Sequence, residues 1–150
     1  MRPIITPFVV LSWMALAAPG SSATAPARFA AFSVPLSGEQ EVNIAHPGGG
    51  TGDMKASGLA KLSVQPANRR ICYDFRLSIA SEPMMAHIHA GLPLRNGPPV
   101  IILFTGTGGK LSGCAPSTHG QLAQIVADPS HFYVSVDTTQ FPDGALRGQL

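Results

Sequence analysis

Nine residues constrain this chain more than any others: ICYDFRLSI, Ile71 to Ile79. Ile71, Tyr73, Phe75, Leu77 and Ile79 fall on one side of an extended chain, and Cys72, Asp74, Arg76 and Ser78 on the other. Strict alternation has the period of a pleated strand with one buried face, and no helix can place five alternate residues on one side. The chain therefore contains a β-sheet, and the rest of the sequence is read around it.

Upstream, FSVPLSG from Phe32 alternates as a first strand, with Pro35 restricting it to a sheet edge or a strand end because proline donates no N–H. LAKLSV, Leu59 to Val64, turns its Ala60, Leu62 and Val64 to one face, and the following PANRR makes a hairpin with the ICYDFRLSI strand. Between the FSVPLSG and LAKLSV strands HPGGGTGD, His46 to Asp53, is a glycine-rich loop or flexible turn. Downstream, SEPM breaks the chain, AHIHA is a short extended piece, and GLPLRNGPP is a turn-rich loop containing Asn96-Gly97. VIILFTG, Val100 to Gly106, is a continuous apolar run of strand length, expected to be buried on both faces. GTGGKLSG is read as a loop. In THGQLAQIVADP, Leu122, Ile125 and Val126 recur at helical spacing, with Thr118 as the N-cap and Asp128-Pro129 as the stop. HFYVSVDTT then puts Phe132, Val134 and Val136 inward and Tyr133, Ser135 and Asp137 on the opposite face, and GALRGQL closes the chain.

Many short strands with turn chemistry between them predict an all-β fold: an antiparallel β-sandwich or barrel, immunoglobulin-like or superoxide-dismutase-like, with one short helix. Composition agrees, since 12% charged against 45% apolar residues, with 16 glycines and 14 prolines, suits loops and strands better than helices. The net charge of +2 comes from scattered basic residues, which excludes a nucleic-acid footprint. Residues 1–25 read as a secretory signal peptide: Arg2, an apolar stretch from Phe8 to Ala18, then small residues, with cleavage between Ala23 and Ala27. The apolar stretch is shorter than the roughly 20 residues of a spanning helix, so no membrane span is expected in the mature chain. A single domain over residues 28–150 follows, in the periplasm or outside the cell. In an oxidising compartment the even pair Cys72 and Cys114 reads as a disulfide, and closing a loop of about 43 residues would stabilise the fold by roughly 4 kcal/mol in the chain-entropy picture.

His87 and His89 stand one residue apart, so a strand sends both imidazoles to one face, about 6.6 Å apart along the chain. Two such rings can converge on zinc or copper if a third donor joins them from Asp137, His119, His131 or His46, with Asp137 the most attractive. The preferred reading is plainer: the imidazoles hydrogen-bond loop carbonyls and Asp137, bracing one end of the fold. Arg147 is expected to pair with Glu41, Glu39 or Asp137 as a structural polar cluster. Tyr133 reads as packing, and Trp13 lies in the signal segment. No nucleophile stands in a recognisable catalytic context, no G-x-S-x-G elbow occurs, and GGGTGD lacks the lysine of a phosphate loop.

LSGEQEV, AHIHAG, NGPPVIILF and the terminal ADPSHFYVSVDTTQFPDGALRGQL, in that order, resemble the CHRD domain, the module named after chordin. The resemblance runs from Phe32 to Leu150. It implies a secreted all-β domain, found in exported bacterial proteins and repeated in chordin, where the whole protein binds growth-factor ligands; no settled activity comes with the family. Where members carry histidine in YVNVHT, this chain reads YVSVDTT, with Asp137 at that position. The substitution weakens the case for copper, leaves zinc more plausible, and suits a hydrogen-bond cluster best. The H-x-H pair is also similar to that of copper-zinc superoxide dismutases, whose further histidines have no convincing counterparts here. The functional expectation is a secreted, non-catalytic binding or structural module without a cofactor, whose partner is an extracellular or periplasmic protein or ligand. The alternative is a zinc or copper domain built on His87, His89 and Asp137, with superoxide-dismutase-like chemistry.

Overall fold

A computed structural model describes residues 29–43 and 48–150. The signal segment, its cleavage bond and His46 lie outside the described residues.

The alternating segments form the expected strands. β1 (Ala30–Ser37) pairs antiparallel with β2 (Ser57–Gln65), residue for residue from Ala30↔Val64 to Ser37↔Ser57. β2 turns through Pro66–Asn68 and a left-handed Arg69 (φ 50°) into β3 (Arg70–Ser78). Then come β4 (Pro83–Ala90), β5 (Pro99–Thr105), β6 (Ser112–Pro116), helix α1 (His119–Ala127), β7 (Phe132–Thr138) and β8 (Leu146–Gln149). All eight strands belong to one antiparallel sheet in the order β5-β4-β7-β8-β1-β2-β3-β6. The sheet curls until its end strands β5 and β6 approach each other without pairing, so the architecture is a nearly closed barrel.

The inner face is one apolar cluster. From β3 it takes Ile71, Tyr73 and Phe75, from β2 Ala60, Leu62 and Val64, from β4 Ala86 and Ile88, and from β7 Val134 and Val136. The rings of Tyr73, Phe75 and Phe104 meet with centroids 5.6 to 6.0 Å apart, the tilted geometry that aromatic quadrupoles prefer. Helix α1 is nucleated by a reciprocal capping box between Thr118 and Gln121. It inserts Leu122 and Ile125 into the core, while Gln121 Nε2 donates to the Val100 carbonyl on β5, 3.0 Å away.

Three expectations are corrected. β5 is not buried on both faces: Ile101 and Leu103 point inward, but Ile102 is 58% exposed, because β5 is an end strand with nothing stacked on its outer side. Register shifts against β4 at Ala86/His87 and Ile88/His89 let Phe104 turn inward as well. Ser112 and Gly113, read as loop, begin β6, which lacks an apolar pattern of its own and is held by pairing to β3 and by the Cys72–Cys114 disulfide between directly opposed residues. Finally, Pro35 stands inside the sheet rather than in an edge strand. Among the described residues β1 and β8 pair only at Ser37↔Arg147, so the proline lies beside the most loosely laced junction of the sheet.

Candidate functional site

The sequence placed His87 and His89 on one face of β4, and Tyr133, Ser135 and Asp137 on one face of β7. Antiparallel pairing joins these two faces: His89 stands opposite Tyr133, His87 opposite Ser135, and Met85 opposite Asp137. β8 extends the row by setting Arg147 opposite Ser135. The resulting polar stripe lies outside the barrel wall, yet it is buried, with Tyr133 at 1%, Asp137 at 7% and Arg147 at 1% exposure. What covers it is the loop from Gly91 to Pro98, together with Glu41 from the segment after β1.

Arg147 holds that loop down. Its Nη1 donates to the Arg95 carbonyl (3.0 Å) and its Nη2 to the Leu92 carbonyl (2.9 Å), while the guanidinium carbon sits 3.5 Å from the Tyr133 ring centroid. From the β4 side, His89 stacks on Tyr133 at 4.8 Å and 16°. Imidazole, phenol and guanidinium thus form a stack across β4, β7 and β8. The expected ion pair of Arg147 with Glu41, Glu39 or Asp137 is not formed among the described residues. Loop carbonyls present two acceptors at the spacing of the guanidinium fork, and they satisfy it without a second buried charge.

Glu41 is 4% exposed and accepts from Ser135 Oγ at 3.2 Å. Gly144, at φ +123°, presses its backbone against this carboxylate; a Cβ there would lie 2.5 Å from Glu41 Cδ, so only glycine fits. Burial pushes the Glu41 carboxyl above its ordinary range, and the field of Arg147 opposes this. Asp137 is raised further, to about 7, first by burial and then by repulsion from Glu41 and Asp143. A side-chain hydrogen bond with Ser135 works against this rise and favours the charged carboxylate.

His89 Nδ1 lies 2.9 Å from the Gly97 carbonyl, which can only accept, so Nδ1 carries the proton and Nε2 is left as an acceptor. His87 Nδ1 faces Asp137 Oδ2 at 3.6 Å, and the two imidazoles meet edge to face with centroids 5.6 Å apart. Burial lowers both imidazole pKa values; repulsion from His89 adds to the effect at His87, and Arg147 adds to it at His89. Both rings are therefore neutral at physiological pH. Between them and the carboxylates opens a recess of about 540 Å³. Asn43, Asn96, Gly97, Pro99 and Asp143 complete its wall.

The structure thus brings together His87, His89 and Asp137, adds Glu41, and leaves His119 and His131 away from the recess, His131 being engaged by Asp128 at 2.6 Å. Among the described residues, no three His, Cys, Asp or Glu side chains are grouped so as to hold a metal ion. Tyr133 does more than pack: its hydroxyl donates to Asn96 Oδ1 (3.2 Å) and accepts from Gly97 N (3.2 Å), tying the loop to the strand. The Asn-Gly turn was visible in the sequence, but its partner 36 residues away was not.

The family model for the CHRD domain matches residues 32–150. The chain belongs to the CHRD family. The match takes in every residue of the recess and both cysteines, so the polar stripe of β4, β7 and β8 lies wholly within the CHRD module. No curated protein and no solved structure matches the chain. Among the described residues, no helix is long and apolar enough to cross a membrane.

Proposed function

We propose that this CHRD domain is an exported module that binds an extracellular or periplasmic ligand or protein in the recess between β4 and β7, without transforming it. The observation that carries this reading is the recess itself, with polar groups converging from distant parts of the chain on a rigid barrel wall. The chemistry of its walls supports binding over catalysis. Ser135 gives its proton to a carboxylate rather than to an imidazole, and the two cysteines are bonded to each other. The disulfide and the family are consistent with an extracellular setting. Residues 1–25 would supply the export signal.

The second reading, zinc or copper on His87, His89 and Asp137, is favoured by one observation: His89 Nε2 is left unprotonated in a ring that meets a second neutral imidazole edge to face. Elemental analysis of the chain folded without chelator separates the two. The binding-module reading expects no stoichiometric metal. Stoichiometric zinc or copper, lost in the His87→Ala, His89→Ala double variant while the fold survives, would overturn it. Export is checked by recovering the chain outside the cytoplasm and sequencing its N-terminus, expected between residues 24 and 28.

A further inference from the structure

The recess walls carry an imbalance of charge. Glu41, Asp137 and Asp143 all border it, and among the described residues no lysine or arginine does. The cation nearest by sheet position, Arg147, lies behind the Tyr133 ring with Nη1 and Nη2 bonded to the Arg95 and Leu92 carbonyls; its field reaches Glu41 but offsets only part of the effect of that residue's burial. The remaining polar groups of the wall include further acceptors: His89 Nε2, freed by the bond from Nδ1 to Gly97, and the Asn96 side-chain Oδ1, which accepts the Tyr133 hydroxyl. A ligand for such a wall brings positive charge and several N–H donors. The acceptors are spread around a volume of about 540 Å³ and do not converge on one point, which suits a group that donates in several directions at hydrogen-bond distance.

The surroundings say what carries that charge. Ile102, 58% exposed, stands opposite His87 on β5 and shares its outer face, and the loop that supplies Asn96 and Gly97 exposes Leu92 and Leu94 at 47% and 44%. An anionic recess flanked by exposed apolar side chains matches a cationic head on an apolar stem, held in a polypeptide with apolar neighbours. We propose that the recess receives a lysine or arginine side chain of a partner polypeptide, its ammonium or guanidinium group bonded to Asp137 and Glu41. This rests on the reading of the recess as a binding site and specifies its ligand.

The probes are Nα-acetyl-lysine amide and Nα-acetyl-arginine amide, with Nα-acetyl-glutamine amide as the neutral control and zinc chloride as the competing cation. The readout is the NMR shift of the His87 and His89 ring protons and of the β4 and β7 amides in the purified full chain. The expected result is saturable displacement by at least one basic amide and none by the glutamine amide, with affinity reduced by about tenfold or more in Asp137→Asn and in Asp143→Lys. Asp143 is exposed on a turn, so the second variant keeps the test valid should Asp137→Asn fail to fold. Zinc shifting these signals while neither basic amide does would overturn the inference and leave the recess a metal site. Basic amides binding equally well to both variants would also overturn it. No response to any solute would remove the binding-site reading along with it.

Discussion

Asp137 shows how one residue's neighbours alter its chemistry. In sequence it is an acidic residue at the end of an alternating strand; in the fold it is buried beside Glu41 and Asp143, and its carboxyl is pushed to about 7 from an ordinary 3.8. Because the folded value lies above the unfolded one, folding takes up a proton in the interval between them. The corresponding stability is complete below pH 3.8 and is lost as pH rises through about 7. His87 and His89 act in the opposite direction: their lowered values mean that folding favours the neutral rings, and stability is lost as pH falls below 6.5. Both histidines remain in Asp137→Asn, so comparing the two proteins reports on the carboxyl together with its coupling to His87 and Glu41. Urea unfolding at constant ionic strength should show the stability of the natural chain falling, relative to Asp137→Asn, between about pH 4 and about pH 7. A pH-independent difference would mean that Asp137 is ionised throughout. Arg147 teaches a related lesson. Its charge suggested a carboxylate partner, but its planar fork is satisfied by two carbonyls of a loop more than fifty residues away, at a separation no local pattern encodes.

Among the elements, β3 and β6 differ most in how they are specified. β3 carries its own instructions, since alternation puts Ile71, Tyr73 and Phe75 inward wherever the strand is placed. β6 has five residues, SGCAP, of which only Ala115 is buried. It owes its place to the ladder with β3 and to the bond from Cys114 to Cys72, which closes a sequence separation of 42. Replacing both cysteines by serine should therefore lower stability by about 4 kcal/mol in the chain-entropy picture. Amide exchange should accelerate more in β6 than in β2 or β3, because an end strand with so little buried surface has only backbone pairing left. Uniform acceleration across the sheet would show that the disulfide acts on the whole barrel rather than on its edge. Helix α1 belongs with β3: its cap, apolar spacing and stop are all local, and all were legible. β5 belongs with β6 in this respect, since a continuous apolar run does not reveal which of its faces will be covered, and Ile102 was left bare by the position of β5 at the sheet's end.

At the scale of the molecule, the barrel is a single curled sheet whose interior depends on a few large side chains. Phe75 touches both other rings of the aromatic group and is 4% exposed. Phe75→Ala should cost about 3 to 5 kcal/mol, by lost transfer energy and by the cavity left behind, measured by urea unfolding. A loss below about 1 kcal/mol, the size of a surface change, would mean that the sheet closes around something other than this cluster. Apart from β6 and the outer face of β5, the strands, the helix, the inward faces and the shared outward face of His87 and His89 could be read from residue order, because each depends on a period of two or 3.6 that a short window contains. The recess could be read only in part. Its imidazoles and Asp137 stood out, whereas Glu41 reaches Ser135 across 94 residues, and the loop from Gly91 to Pro98 is pinned by Arg147 from the last strand. Those meetings depend on strand order and register, which arise when distant segments pack to bury apolar surface; local periodicity sets the side a residue faces, and only the assembled sheet sets what it meets there.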